Sequence, residues 1–198
     1  MNINKQLKNN LLIGTKSTTR RKLFKSAGLR FKYRSPEVEE EKALQGKNIP
    51  VEKQSLFIAK AKAKFLCKRH PGFYVVCFDT TIHVGRKTIF KSKNRKECLW
   101  VLNYLNNKKH YLYTSCVIMK DNKLILSNVD MAIIEFKNNS QSELKNYVKK
   151  HYNKIVNSVG CYNIEAEGME VIKRIHGSYY SVLGAPLILM IDKLTKLK

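Results

Sequence analysis

The sequence predicts an α/β fold: a mixed, twisted sheet with flanking helices and an inserted β-hairpin, built as one domain or as two intimately packed lobes. Two patterns predict it. Helical and strand periodicities alternate through the first half of the chain, and a long hairpin pattern centred on Asp121-Asn122 interrupts that alternation. The composition agrees. At 198 residues, 43% of them hydrophobic, such a chain hides roughly 70% of its unfolded surface and needs no staples to build a core.

The elements follow in order. Residues 11–13 read as a short buried strand, and Gly14-Thr15-Lys16-Ser17-Thr18 as a small-residue loop. Ser17 or Thr18 caps a helix running to about Ala27, and Gly28 closes it. Residues 31–34 alternate as a second strand, and the polar stretch 36–53 reads as a loop. Ser55 opens a second helix with Leu56, Ala59, Ala63 and Leu66 as its apolar stripe and Lys60, Lys62, Lys64 and Lys68 off it. Residues 73–78 form a β-rich apolar run ending at Asp79. Gly85-Arg86-Lys87 turns a hairpin, and Asn94 caps a helix carrying Cys98, Val101, Leu102 and Leu105. Strands over 111–119 and 123–136 flank the Asp121-Asn122 turn. Ser140 caps a helix to about His151, residues 171–175 are a strand, and residues 185–197 a final helix.

Composition excludes several classes. No apolar run approaches the ~18 residues of a membrane span, and the polar start, residues 1–10, has no signal-peptide apolar region. A cytoplasmic protein without a membrane partner is expected. The five cysteines at 67, 77, 98, 116 and 161 are widely spaced, without Cys-x-x-Cys, and read as reduced thiols. The net charge of +23 attracts polyanions. Its lysines are spread along the whole chain, with no Arg-rich tail and no basic stripe interleaved with aromatics. A phosphate-bearing small molecule therefore fits better than a dedicated nucleic-acid partner, although steeply salt-dependent RNA or DNA binding would reverse that order.

Some residues could carry chemistry. The loop after the first strand opens a helix bearing Arg20 and Arg21, which aims amides and a positive helix end at an anion; an ordinary capped helix is the alternative. Asp79 at a strand end could hold a divalent metal or take a proton from water, or it could cap nearby amides. Lys62 and Lys91 gain meaning only as members of a cationic set. Glu37, Glu39 and Glu40 are the densest acidic cluster, either a solvated face or a metal and base site beside Asp79.

Taken in order, these segments resemble the Maf family of septum-formation-inhibitor-like nucleotide pyrophosphatases, whose fold is inosine-triphosphatase-like. The residues are Leu-Leu-Ile-Gly-Thr-Lys-Ser-Thr-Thr-Arg-Arg over 11–21, Ser-Pro-Glu-Val-Glu-Glu over 35–40, Ala59-Lys60-Ala61-Lys62-Ala63, Phe78-Asp79-Thr80, Lys91, the 158–165 segment ending in Glu165, and Gly184-Ala185-Pro186-Leu187. The resemblance implies a single domain over residues 1–198 that hydrolyses a nucleoside triphosphate to the monophosphate and pyrophosphate with Mg²⁺ or Mn²⁺. It casts Asp79 as general base or metal-linked carboxylate, with Glu39 or Glu40 near the metal. It casts Arg20, Lys62 and Lys91 as a phosphate clamp with Ser17 at the phosphate loop, Thr80 and Glu165 at substrate-selecting positions, and a homodimer as the assembly. Thr18, Thr19, Ala61 and Ser92 depart from the family pattern. A catalytically weak nucleotide-binding regulator linked to cell division is the alternative. Glu165 resembles the branch associated with 7-methylguanosine triphosphate, whereas Thr80 resembles the thymidine/uridine branch.

Overall fold

The computed structural model describes residues 9–197, so most of the polar start lies outside the described residues. Seven strands form one mixed sheet in the order β2-β1-β3-β5-β6-β7, with β4 paired to β3. They are β1 (Leu11–Gly14), β2 (Lys32–Arg34), β3 (Tyr74–Val84), β4 (Lys87–Ile89), β5 (Lys109–Lys120), β6 (Lys123–Phe136) and β7 (Ile172–His176). The helices are α1 (Thr18–Ser26), α2 (Glu40–Leu44), α3 (Val51–Arg69), α4 (Arg95–Leu105), α5 (Gln141–Ile155), α6 (Tyr179–Val182) and α7 (Leu187–Thr195). The expected mixed α/β architecture is present. No helix among the described residues is long and apolar enough to cross a membrane. All five cysteines are buried free thiols.

The chain divides into two compact units. The first holds the residues up to Asp79, Thr114–Asp130 and the residues from Ser178 onward; the second holds Thr80–Tyr113 and Met131–Gly177. In the first unit β1 runs parallel to β2 and to β3. The two-residue strand period sorts the core into two layers. Leu11, Ile13, Val76, Phe78, Cys116 and Ile118 face α1 and α7, packing with Phe24, Leu187, Met190 and Leu194. Leu12, Val75, Cys77, Val117 and Met119 face α3, packing with Ala59, Ala63, Leu66 and Cys67. Gly14 closes β1 because a Cβ there would collide with Cys77 Sγ and with Leu66 Cδ1.

In the second unit β3 turns into β4 at Gly85-Arg86, with Val84 opposite Lys87. Asn94 caps α4 by accepting from the Glu97 amide, and α4 packs on α5. A capping box between Ser140 and Glu143 starts α5. β6 pairs antiparallel with β7.

Four expectations need correction. The stretch 36–53 is not one loop: α2 forms within it, and α3 starts at Val51, where Pro50 (φ −51°) presets the entry and Glu52 sits in the first turn. Ser55 is therefore interior to α3, buried, with its hydroxyl 2.7 Å from that of Ser115. Lys62 is on the buried stripe rather than off it, since 59, 62, 63 and 66 share one helical face. Asp79 does not end its strand, because β3 continues to Val84. What ends there is its parallel neighbour, whose last paired residue, Gly14, lies opposite Cys77. The short helix α6 was not expected.

Candidate active site

Strand parity and helix phase create this site. Asp79 shares the face of Val75 and Cys77, toward α3, but lies two residues past the point where β1 has stopped. Lys62 lies on the sheet-facing stripe of α3, among Ala59, Ala63 and Leu66. The two therefore meet: Lys62 Nζ donates to Asp79 Oδ1 at 2.6 Å, with the residues only 6% and 2% exposed. The same ammonium donates to Glu40 Oε1 at 2.6 Å, on the first residue of α2.

Arg20 completes the group. Ser17 caps α1 by accepting from the Arg20 amide at 3.2 Å. The Arg20 side chain donates through Nε to the Gly184 carbonyl at 2.6 Å and lies 5.7 Å from the Phe78 ring centroid. Two cations thus face two carboxylates in a desolvated setting. Burial would depress the Lys62 ammonium, but Asp79 and Glu40 outweigh it and hold its pKa above the usual value. Burial pushes the Asp79 carboxyl up; Lys62 opposes this incompletely, and the like charge of Glu40 adds to it. Burial lowers the Arg20 guanidinium against the pull of Asp79 and Glu40. A carboxylate moved toward neutrality is a better proton acceptor than an ordinary aspartate.

Asp79 Oδ2 is buried and has no hydrogen-bond partner among the described residues. Among the described residues no cluster of three or more His, Cys, Asp or Glu side chains could hold a metal. Two carboxylates remain, and this donor set fits Mg²⁺ or Mn²⁺, which take one or two carboxylates and complete their coordination with water and substrate phosphates. Asp79 and Glu40 would hold such an ion.

The expected residues are placed unequally. Arg20, Lys62, Asp79 and Glu40 come together in the first unit. Ser17 serves as helix cap. Glu39 does not join them: its carboxylate pairs with Lys42 at 2.9 Å in solvent, each side chain at least 70% exposed. Thr80, Lys91 and Glu165 belong to the second unit. Thr80 follows Asp79 along β3, half-buried; Lys91 is exposed and bridges Val159 through its backbone; Glu165 is exposed in the turn before the 3₁₀ segment at Glu167–Glu170. The Gly184 carbonyl and the Phe78 ring, which hold Arg20, were not singled out as functional, because a backbone carbonyl and an apolar core residue leave no chemical signature in a sequence.

Comparison with known proteins points the same way. The chain is similar to a nucleoside triphosphate pyrophosphatase of Bradyrhizobium diazoefficiens, 27% identical over 182 residues that cover 91% of this chain and 90% of that protein. It is similar to a 7-methyl-GTP pyrophosphatase of Rhizobium meliloti, 27% identical over 94% of this chain and 96% of that protein. It is also similar to a dTTP/UTP pyrophosphatase of Aquifex aeolicus, 27% identical over 90% of each. The sequence model of the Maf-like proteins matches residues 10–197, nearly every residue of the chain, and the protein belongs to that family.

Proposed function

We propose that this protein hydrolyses a nucleoside triphosphate to the nucleoside monophosphate and pyrophosphate. The observation that carries the reading is the buried Asp79–Lys62 pair with the half-buried Glu40 beside Arg20, in a member of a family whose relatives bear pyrophosphatase names.

The roles follow from charge and position. In the resting site Lys62 and Arg20 balance Asp79 and Glu40. A triphosphate brings several negative charges, so Lys62 exchanges its carboxylate partners for phosphate oxygens, with the Arg20 guanidinium adding its charge. Asp79, relieved of Lys62, accepts a proton from the water that attacks the α-phosphorus. The bond from that phosphorus to the bridging oxygen breaks, and pyrophosphate departs with charge stabilised by the cations. A divalent cation, when bound by Asp79 and Glu40, supplies acidified water and neutralises phosphate charge. Glu165 and Thr80 select the base, with Glu165 favouring a 7-methylguanosine-type or guanine-like edge.

The test is pyrophosphate release from a panel of canonical and methylated triphosphates with Mg²⁺ or Mn²⁺. Asp79→Asn is expected to cut turnover by about 10²–10⁴, the range of a lost acid–base group. Turnover unchanged in Asp79→Asn would refute the assignment, and triphosphate binding without turnover across the whole panel would favour a regulator instead. Glu165→Gln run beside the parent should change the ranking of bases.

A further inference from the structure

The loop that opens α1 has a second side. Lys16, Arg21 and Arg34, with Thr15, Tyr33 and Ser35, line a cleft of about 330 Å³. No carboxylate is among the six. Arg21 follows Arg20 on α1, so it projects about 100° further round the helix, away from Phe78 and Gly184. Its guanidinium instead lies 4.6 Å from the Tyr33 ring centroid. That stack holds the guanidinium, yet its Nε is buried and meets no acceptor among the described residues. Ser35 Oγ is also buried without a hydrogen-bond partner among them. Folded proteins rarely leave buried donors unsatisfied. Two such donors, from α1 and from the residue after β2, in a cleft ringed by cations, point to an acceptor that the described residues do not supply.

We propose that this cleft binds a phosphoryl group. The Nε–H edge of Arg21 matches phosphate oxygens in the bidentate geometry typical of guanidinium. The Ser35 hydroxyl donates to the same group, and Lys16 and Arg34 supply flanking charge. Tyr33, 47% exposed, offers its ring edge and free surface to a sugar or base when the phosphate belongs to a nucleotide. Thr15 is occupied, its hydroxyl accepting from the Ser17 amide at 3.0 Å. The site shares no side chain with the Asp79 group, so it does not depend on the pyrophosphatase reading.

The experiment follows the Arg21 Nε–Hε resonance in ¹⁵N-labelled full-length protein, identified by its disappearance in Arg21→Lys. Inorganic phosphate, pyrophosphate, uridine monophosphate and uridine are titrated in turn. A saturable shift with the phosphorylated probes, kept in Asp79→Asn and weakened several-fold in Ser35→Ala and in Arg34→Ala, is expected. A monophosphate that binds more tightly than phosphate, with the advantage lost in Tyr33→Leu, assigns the site to nucleotides; equal affinities assign it to the free anions. No shift with any phosphorylated probe, a shift with uridine, or affinity unaltered by both Ser35→Ala and Arg34→Ala would overturn the proposal. Pyrophosphate release is measured separately: its absence leaves the expected shift in place, and a missing shift leaves the Asp79 result untouched.

Discussion

Lys62 shows how much a single buried side chain can depend on its neighbours. It donates to Asp79 and to Glu40 while almost wholly removed from water. Replacing it with methionine keeps an apolar stem within α3's buried stripe but leaves two carboxylates facing each other. Breaking a buried pair in this way costs about 3–5 kcal/mol, which urea unfolding of Lys62→Met will read; adding Asp79→Asn should restore part of the loss. His110 gives a pH-dependent counterpart in the second unit. It is fully buried, 2.8 Å from the Tyr162 hydroxyl, and burial lowers its pKa to about 3. Below the ordinary histidine range of about 6.5 the unfolded chain takes up a proton that the folded chain refuses, so stability falls with acidification toward pH 3. The slope approaches 1.4 kcal/mol per pH unit for this one group. Urea melts between pH 7 and pH 5 should show the decline, and His110→Asn should flatten it.

At the scale of elements, what could be read in advance was local chemistry. Ser17, Asn94 and Ser140 all cap the helices expected of them, since a hydroxyl or amide before an amphipathic run satisfies orphan amides wherever it occurs. The Asp121-Asn122 turn adopts the positive φ values (47° and 61°) that a tight hairpin demands. Missed features were set by distant partners. The continuation of β3 beyond Asp79 depends on pairing with β4 and β5 rather than β1, and no local pattern reports where a neighbour stops. The separation of Glu40 from Glu39 depends on α2, a five-residue helix too short to announce itself. By sequence, charge places Lys62 off the apolar stripe, although its spacing from Ala59 and Leu66 puts it on the inner face, where its carboxylate partners hold it. Gly14 belongs to the same junction. Gly14→Ala would push a methyl group into Cys77 Sγ and Leu66 and is expected to cost about 1–3 kcal/mol as overpacking, checked by thermal unfolding. The same change should lower pyrophosphate release, because Cys77 is two residues from Asp79.

Across the whole molecule the dominant quantity is charge. A net +23 on 198 residues raises the local concentration of any polyphosphate, and that field is screened over about 10 Å at 0.1 M salt. KM for the preferred triphosphate is expected to rise steeply with KCl while kcat changes little, since the buried Lys62–Asp79 contact is shielded from added ions. Parallel changes of kcat and KM would show that the surface charge is not what gathers substrate.

The first unit is assembled from stretches far apart in the gene, and this governs how the protein can be made. Leu187, Met190 and Leu194 fill the same apolar layer as Leu11, Ile13 and Phe24. A nascent polypeptide emerging from the ribosome therefore exposes its first strands and helix without their covering until residues near 194 have been synthesised and released from the exit tunnel. This unit is consequently expected to reach its protected state only once residues 187–194 have emerged, and to lean on chaperones while it waits.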